Sequence, residues 1–238
     1  MNKLKSVSIF FPAYNDSEII ASLIEKAYRM GPVISQWFEV IVINDGSTDD
    51  TAQTLLKAKE QYPELKIITH EKNEGYGSAL RSGFAAAIGD FVFYTDGDGQ
   101  YDVSEIEKLT TLLTDEIDVV NGYKISRSDP IYRKIIGTWY NSLLHLLYKI
   151  PISDIDCDCR LIRKSQLDRI HLTSSSGLIC LELIIKLQEK GARFTEVGVS
   201  HYDRKFGESQ FFNVHHLLKT IKEHFFFYLH YKSSTISS

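Results

Sequence analysis

The stretch DFVFYTDGDGQYD, Asp90–Asp102, decides how this chain is read. Phe91 to Tyr94 form an uninterrupted apolar run, and Asp96, Asp98 and Asp102 follow at once, spaced by Gly97, Gly99 and Gln100. A short continuous apolar run is the pattern of a strand buried on both faces. A carboxylate cluster at its end is a poor way to stabilise a fold and a good way to hold a cation. In extended chain, residues i and i+2 share a face, so Asp96, Asp98 and the Gln100 amide converge. Hard oxygen donors select Mg2+ or Mn2+ over zinc. Taken alone, the stretch reads equally well as a solvated acidic turn.

Working outward, the first half alternates strand-like and helix-like segments. VSIFFPAYN, FEVIVIND, KIITH, DFVFYTD and IDVVNGY are the apolar runs. Between them lie SEIIASLIEKAYRM, with Ser17 expected as helix N-cap, then STDDTAQTLLKAKEQY, GYGSALRSGFAAAIG and SEIEKLTTLLT, each with helical periodicity or start signals. This β-α alternation predicts a mostly parallel α/β sheet with helices on both faces. Ligands of such sheets sit beyond the carboxyl ends of the strands. PAYND, NDGSTD and TDGDGQYD each follow an apolar run there, which predicts a site at one sheet edge. Asp45 reads either as a helix cap or as an acceptor for a ribose or base. The second half is less regular. It offers aromatic-rich and apolar helices, one closed by Gly191, a strand in RFTEVGVSHYDR, and a final helix in FFNVHHLLKTIKEHFFFYLH.

Composition sets the outer bounds. The 238 residues are 43% hydrophobic and 24% charged, as in an ordinary globular protein. A net charge of -4 argues against nucleic-acid binding. Cys157, Cys159 and Cys180 are an odd set, suited to reduced thiols in a cytoplasmic protein. The start MNKLKSVSIFFPAYN reads as a first strand, not a signal peptide. No run approaches the ~20 apolar residues that cross a bilayer.

FPAYND, INDGSTDDT, NEGYGSALRSGFAAAIGDFVFYTDGDGQYD, SDIDCDCRLIRK and EVGVSHYDRKFGES, in this order, resemble the family 2 glycosyltransferases of GT-A fold. The likeness is greatest to the dolichol- and polyprenol-phosphate mannose synthase type. It covers roughly residues 6–210, so a catalytic domain is expected over 1–210 and a C-terminal helix and tail over 211–238. The resemblance implies an inverting, metal-dependent enzyme that moves a sugar from GDP-mannose or a UDP-hexose to a polyprenyl phosphate. It implies nucleotide-sugar contacts at Pro12, Tyr14, Asp16, Ile43, Asp45, Arg81, Asp96, Gly97, Asp98, Gln100 and Arg204. Metal contacts (Mg2+ or Mn2+) fall on Asp96, Asp98 and Gln100, and the catalytic pair is Asp98 and Arg204. Ser209 closes the loop that carries Arg204. An acceptor phosphate would meet Lys124, Arg127 and Arg133, with Lys134 nearby. Arg81 reads otherwise as an exposed helix arginine.

The chain departs from its relatives at Lys124 (usually arginine), Gly137, Asp158, Cys159 and Gln210. These bear on the acceptor more than on the donor. Two alternatives stay open: a saccharide or protein hydroxyl acceptor, with Asp156 or Asp158 as base, and a non-catalytic nucleotide-sugar-binding subunit. In the last helix, Phe211, Val214, Leu218, Ile221 and Phe225 fall on one face. That face is expected either to pack on its own domain or on a second subunit, or to lie in a membrane surface. Relatives often carry transmembrane helices beyond this point, so a peripheral location at the cytoplasmic membrane face, a membrane-protein partner, or a soluble acceptor is the expectation.

Overall fold

The computed structural model describes residues 3–125, 142, 144–203, 222–229 and 231. Its strands are β1 Leu4–Ala13, β2 Ser35–Asn44, β3 Lys66–Thr69, β4 Phe91–Thr95, β5 Val119–Lys124, β6 Cys159–Arg163 and β7 Phe194–Val199. They form one sheet in the order β3-β2-β1-β4-β6-β5-β7. The helices are α1 Ile20–Ile34, α2 Thr51–Gln61, α3 Tyr76–Ala86, α4 Ile106–Leu112, the single turn α5 Lys164–Leu167, and α6 Ile179–Glu189.

Strand alternation sorts the core into two layers. Phe10, Ile41, Ile43, Val92 and Tyr94 face α3 and α6, packing with Leu80, Phe84, Leu183 and Ile184. Ile9, Phe11, Val40, Val42 and Phe93 face α1, α2 and α4, packing with Leu23, Ile24, Leu55 and Leu109. Each fully buried aliphatic or aromatic side chain contributes about 1.5–3 kcal/mol. Two such layers can carry a costly set of carboxylates at the strand ends.

The sheet is not uniformly parallel. β1, β2, β3 and β4 run parallel, as expected. β6 then enters antiparallel between β4 and β5, pairing Phe91 with Arg163 and Thr95 with Cys159. Because β6 runs backwards, its first residues, not its last, lie at the carboxyl edge of β4. That reversal brings Asp158 close enough to raise the Asp96 pKa.

One local expectation is corrected. Ser17 does not cap α1. The helix begins at Ile20 with no side-chain cap, the Asp16 carbonyl accepts from Ile19 and Ile20, and the Ser17 amide donates to Asp49 Oδ2 at 3.3 Å. In the last helix Phe225 does not pack on its own domain, the first of the two alternatives expected for its face: it is 59% exposed, with Phe226 and Leu229 also outward. Phe227, Tyr228 and Tyr231 pack on the core, gathered around the buried Tyr148 ring. Phe211, Val214, Leu218 and Ile221 lie outside the described residues. No helix among the described residues is long and apolar enough to cross a membrane.

Candidate active site

The edge formed by the ends of β1, β2 and β4 is held by loop-to-loop hydrogen bonds. Asn15 adopts a left-handed backbone at φ 57°, which turns its side chain across to the loop after β2. There Asn15 Oδ1 accepts from the Thr48 and Asp49 amides at 2.8 and 3.3 Å. The Asp16 carboxylate accepts from the Tyr14 amide at 2.9 Å, and the Asp16 amide donates to Thr51 Oγ1 at 3.0 Å. Burial works against the Asp49 charge, but hydrogen bonds from Thr51 and Ser17 hold its pKa below the ordinary value. PAYND and NDGSTD therefore form one braced rim rather than two loops. Tyr14 and Asp16 stand on it, part-exposed.

Asp45 reaches this edge, yet its carboxylate is engaged within the chain. Asp45 Oδ1 takes His70 Nδ1 at 2.6 Å and the Glu74 amide at 3.0 Å, and Oδ2 takes the Gly75 amide at 2.9 Å. His70 Nε2 lies 2.9 Å from Ser82 Oγ. With Asp45 only 3% exposed, its observed work is to dock residues 70–75 and the start of α3. Ile43 is fully buried in the core, so its side chain is packing, not a ligand contact. Pro12 is also buried. Its carbonyl passes so near Gly97 that a Cβ there would lie 2.3 Å away, which explains glycine at that position.

The acidic strand end is the electrostatic centre. Asp98 is 8% exposed, and its Oδ1 accepts the Gln100 amide at 2.9 Å. Asp96 Oδ1 accepts the Tyr76 hydroxyl at 2.6 Å. Burial, then the neighbouring Asp158 and Asp98 carboxylates, push the Asp96 pKa well above its ordinary value, while Tyr76 and Lys124 pull it down. Burial and the Asp158 and Asp96 charges likewise push Tyr76 up, keeping its hydroxyl a donor. Gln100 Nε2 donates to the Tyr202 carbonyl at 3.1 Å, and the Tyr202 amide returns a bond to Gln100 O at 2.8 Å. With the Tyr101–His201 bridge, these contacts lay residues 201–203 along the acidic loop, directly ahead of Arg204. Arg204, Ser209, Arg127, Arg133 and Lys134 lie outside the described residues.

Beneath the edge, Arg160 is fully buried. Its Nε donates to Asn121 Oδ1 at 2.5 Å, and its other nitrogens reach the Tyr94 hydroxyl, the Ile155 carbonyl and, at 3.4 Å, Asp158 Oδ1. Burial opposes the guanidinium charge, but Tyr94 and Asp158 more than offset it and hold the pKa up. Asp158 Oδ1 also takes the Cys180 thiol at 3.1 Å. Lys124 Nζ donates to the Asp156 carbonyl at 2.8 Å, and its amide to Asp154 Oδ2 at 3.3 Å. That carbonyl contact turns the ammonium toward the acidic edge. Arg81 bonds Ser78 Oγ at 3.1 Å and the Thr173 carbonyl at 3.2 Å, which makes it a brace for a neighbouring loop. The three cysteines are free and buried, with Cys157 pushed up to about 12 by burial. Among the described residues, no three His, Cys, Asp or Glu side chains gather into a metal cage.

Sequence reading assigned no role to Tyr76, His70, Tyr94 or Arg160. Tyr76 did carry a signal, as the one aromatic residue between the turn glycines of GYG.

Comparison with known proteins shows the family and the fold. The model of glycosyl transferase family 2 matches residues 8–170. The chain is 32% identical over 212 residues to the undecaprenyl-phosphate 4-deoxy-4-formamido-L-arabinose transferase of Yersinia enterocolitica, covering 88% of this chain and 63% of that protein. The protein of the same name from Pectobacterium carotovorum is 32% identical over 217 residues, covering 89% and 64%. The chain thus spans 63–64% of the length of these relatives. Among solved structures, glucosyl-3-phosphoglycerate synthase of Mycobacterium tuberculosis with Mn2+, uridine diphosphate and phosphoglyceric acid matches with TM-score 0.63 and 20% identity, over 84% of this chain and 72% of that one. Its complex with Mg2+ and uridine diphosphate gives 0.64 and 16%, over 86% and 73%. At such identities the shared feature is the fold.

Proposed function

The chain belongs to glycosyl transferase family 2, and from that premise and the acidic strand end we propose that it transfers a sugar from a nucleoside-diphosphate sugar to a polyprenyl phosphate, inverting the anomeric carbon. The observation that carries this reading is Asp96. It is a carboxylate crowded by Asp98 and Asp158 and held by Tyr76, at the edge where α/β sheets bind ligands. Such crowding fits a divalent cation, whose charge would relieve it. Asp96 and Asp98, with the Gln100 amide oxygen, would hold Mg2+ or Mn2+. When bound, the ion supplies electrostatic stabilisation to the departing diphosphate. An incomplete protein shell leaves room for donor phosphate oxygens.

The chain's own residues divide the remaining work. Tyr14 and Asp16, on the braced rim, face the nucleotide. Asp45 acts indirectly by fixing residues 70–75. Lys124 supplies positive charge at the acceptor end, joined in this reading by Arg127 and Arg133. Arg204 follows the segment docked by Gln100 and reaches the diphosphate. In the transfer, an acceptor phosphate oxygen bonds to the anomeric carbon while the bond from that carbon to the diphosphate oxygen breaks. The electron pair leaves with the nucleoside diphosphate. A phosphate oxygen is already ionised near neutral pH and needs no strong base. Asp158 is tied to the buried Arg160, so for a hydroxyl acceptor the base would fall to Asp156, whose pKa burial pushes up; a phosphate acceptor needs neither.

The relatives' printed names support a polyprenyl phosphate acceptor. Residues 1–210 are then the catalytic unit and 211–238 a helical extension at the cytoplasmic membrane face. The test is release of nucleoside diphosphate from UDP- and GDP-sugars with Mn2+, with and without a short polyprenyl phosphate. Acceptor-dependent release supports the reading. Release that ignores the acceptor, or none with any donor, overturns it.

A further inference from the structure

The loop Thr173–Gly177 lies on the start of α3. The Gly77 amide donates to the Ser175 carbonyl at 3.2 Å, and a Cβ on Gly77 would meet the Ser174 carbonyl at 2.5 Å. Two carboxylates hold this loop. Fully buried Glu182 of α6 accepts from the Thr173 and Ser174 amides at 2.9 and 2.8 Å. Glu223, from the helical residues 222–229, accepts Ser175 Oγ at 3.1 Å, the Ser176 amide at 3.3 Å and Ser176 Oγ at 2.6 Å. Glu182 belongs to the same local unit as the loop, only nine residues from Thr173. Glu223 comes from 47 residues away, on a helix anchored by its own contacts with Tyr148.

We propose that Glu223 is a positioning residue for the active site. It fixes Ser175 and Ser176, these fix Gly77, and the adjacent Tyr76 then points its hydroxyl at Asp96. The inference rests on the glycosyltransferase reading for its effect on turnover, but not for its structural part. Tyr76 bonds Asp96 directly, and loss of a contact of that kind typically changes metal affinity by roughly tenfold or more; Glu223 acts through Tyr76, so its effect is expected to be smaller. Residues 222–229 then support the catalytic unit from outside it.

The test compares the full chain with Glu223→Ala and Glu223→Gln. Glu223→Gln keeps one acceptor oxygen and is expected to fall between the other two. Leu55→Ala, a core cavity in α2 far from this loop, controls for lost stability. Hydrogen exchange of the metal-free proteins reads the amides of Gly75–Ser78. Titration of Mn2+ with UDP or GDP, well below each melting temperature, reads the site. Glu223→Ala should speed exchange at Gly75–Ser78 and weaken Mn2+-nucleotide binding measurably, by less than the roughly tenfold of a direct partner of a metal ligand, whereas Leu55→Ala should do neither. Unchanged exchange at Gly75–Ser78 in Glu223→Ala overturns the proposal, and so does faster exchange with wild-type affinity. If the wild type binds no Mn2+-nucleotide, the glycosyltransferase reading fails, and the exchange arm alone decides the role of Glu223.

Discussion

The Tyr76 hydroxyl donates to Asp96 Oδ1 across 2.6 Å, tying the first residue of α3 to the residue just beyond β4. This bond is one of two influences that pull the Asp96 pKa down, against burial and the Asp158 and Asp98 charges that raise it. Tyr76→Phe should therefore raise the Asp96 pKa further. Protons then compete better with the cation, and the acidic limb of Mn2+-nucleotide binding moves to higher pH. Affinity at neutral pH should fall roughly tenfold, the worth of a hydrogen bond to a charged group. Calorimetric titration across pH checks both the direction and the size.

Asp96 also makes a prediction for the metal-free protein. Its folded pKa lies above the ordinary 3.8, so between the two values the folded chain holds the proton more tightly than the unfolded chain. Its contribution to stability therefore falls as pH rises through that window. Asp96→Asn removes the charge and should melt higher than wild type at pH 8 in EDTA, with the gap closing toward pH 4. The same variant should lose the stabilisation that Mn2+ gives the wild type. Thermal melts with and without metal read both effects.

Arg160 answers for the buried ion pair. Replacing it with methionine leaves Asp158 without its cation and Asn121 without its donor. The cost expected for breaking a buried pair is about 3–5 kcal/mol, measured by denaturant unfolding. Arg160→Lys should recover only part, because one ammonium cannot reach Asn121, Tyr94, Ile155 and Asp158 together.

Two glycines separate steric fit from backbone conformation. Gly97→Ala sets a Cβ 2.3 Å from the Pro12 carbonyl, where rigid backbone must move. The expected loss is about 1–3 kcal/mol, with the acidic loop displaced. Gly191 has φ +77° but nothing within 4 Å of a Cβ, so Gly191→Ala should cost only about 1–2 kcal/mol of left-handed strain and leave the site untouched.

The sequence carried much of this and missed what depends on distant partners. β1, β2 and β4 were legible because their apolar runs are unbroken, and Asp96 and Asp98 as carboxylates at a strand end, although residues 97–100 turn instead of continuing extended. β6 was not, because Arg160 interrupts CRLIR. A buried arginine is tolerated only where β4, β5 and Ile155 supply acceptors, and no local pattern records that. Asp45 was legible as a strand-end carboxylate, but its capture by His70 and the Gly75 amide depends on residues 25 and 30 positions away. Among the described residues of the last helix, Phe227, Tyr228 and Tyr231 gather around Tyr148, a partner distant in sequence that local spacing does not record.

The central claim is that the strand-end carboxylates hold the cation that drives sugar transfer, and Asp98→Ala tests it most directly. The measurement is nucleoside diphosphate release with Mn2+, donor and polyprenyl phosphate, alongside melting temperature. The account predicts a loss of about a hundred- to a thousandfold in turnover with the fold retained. Wild-type turnover in a folded Asp98→Ala protein would contradict it.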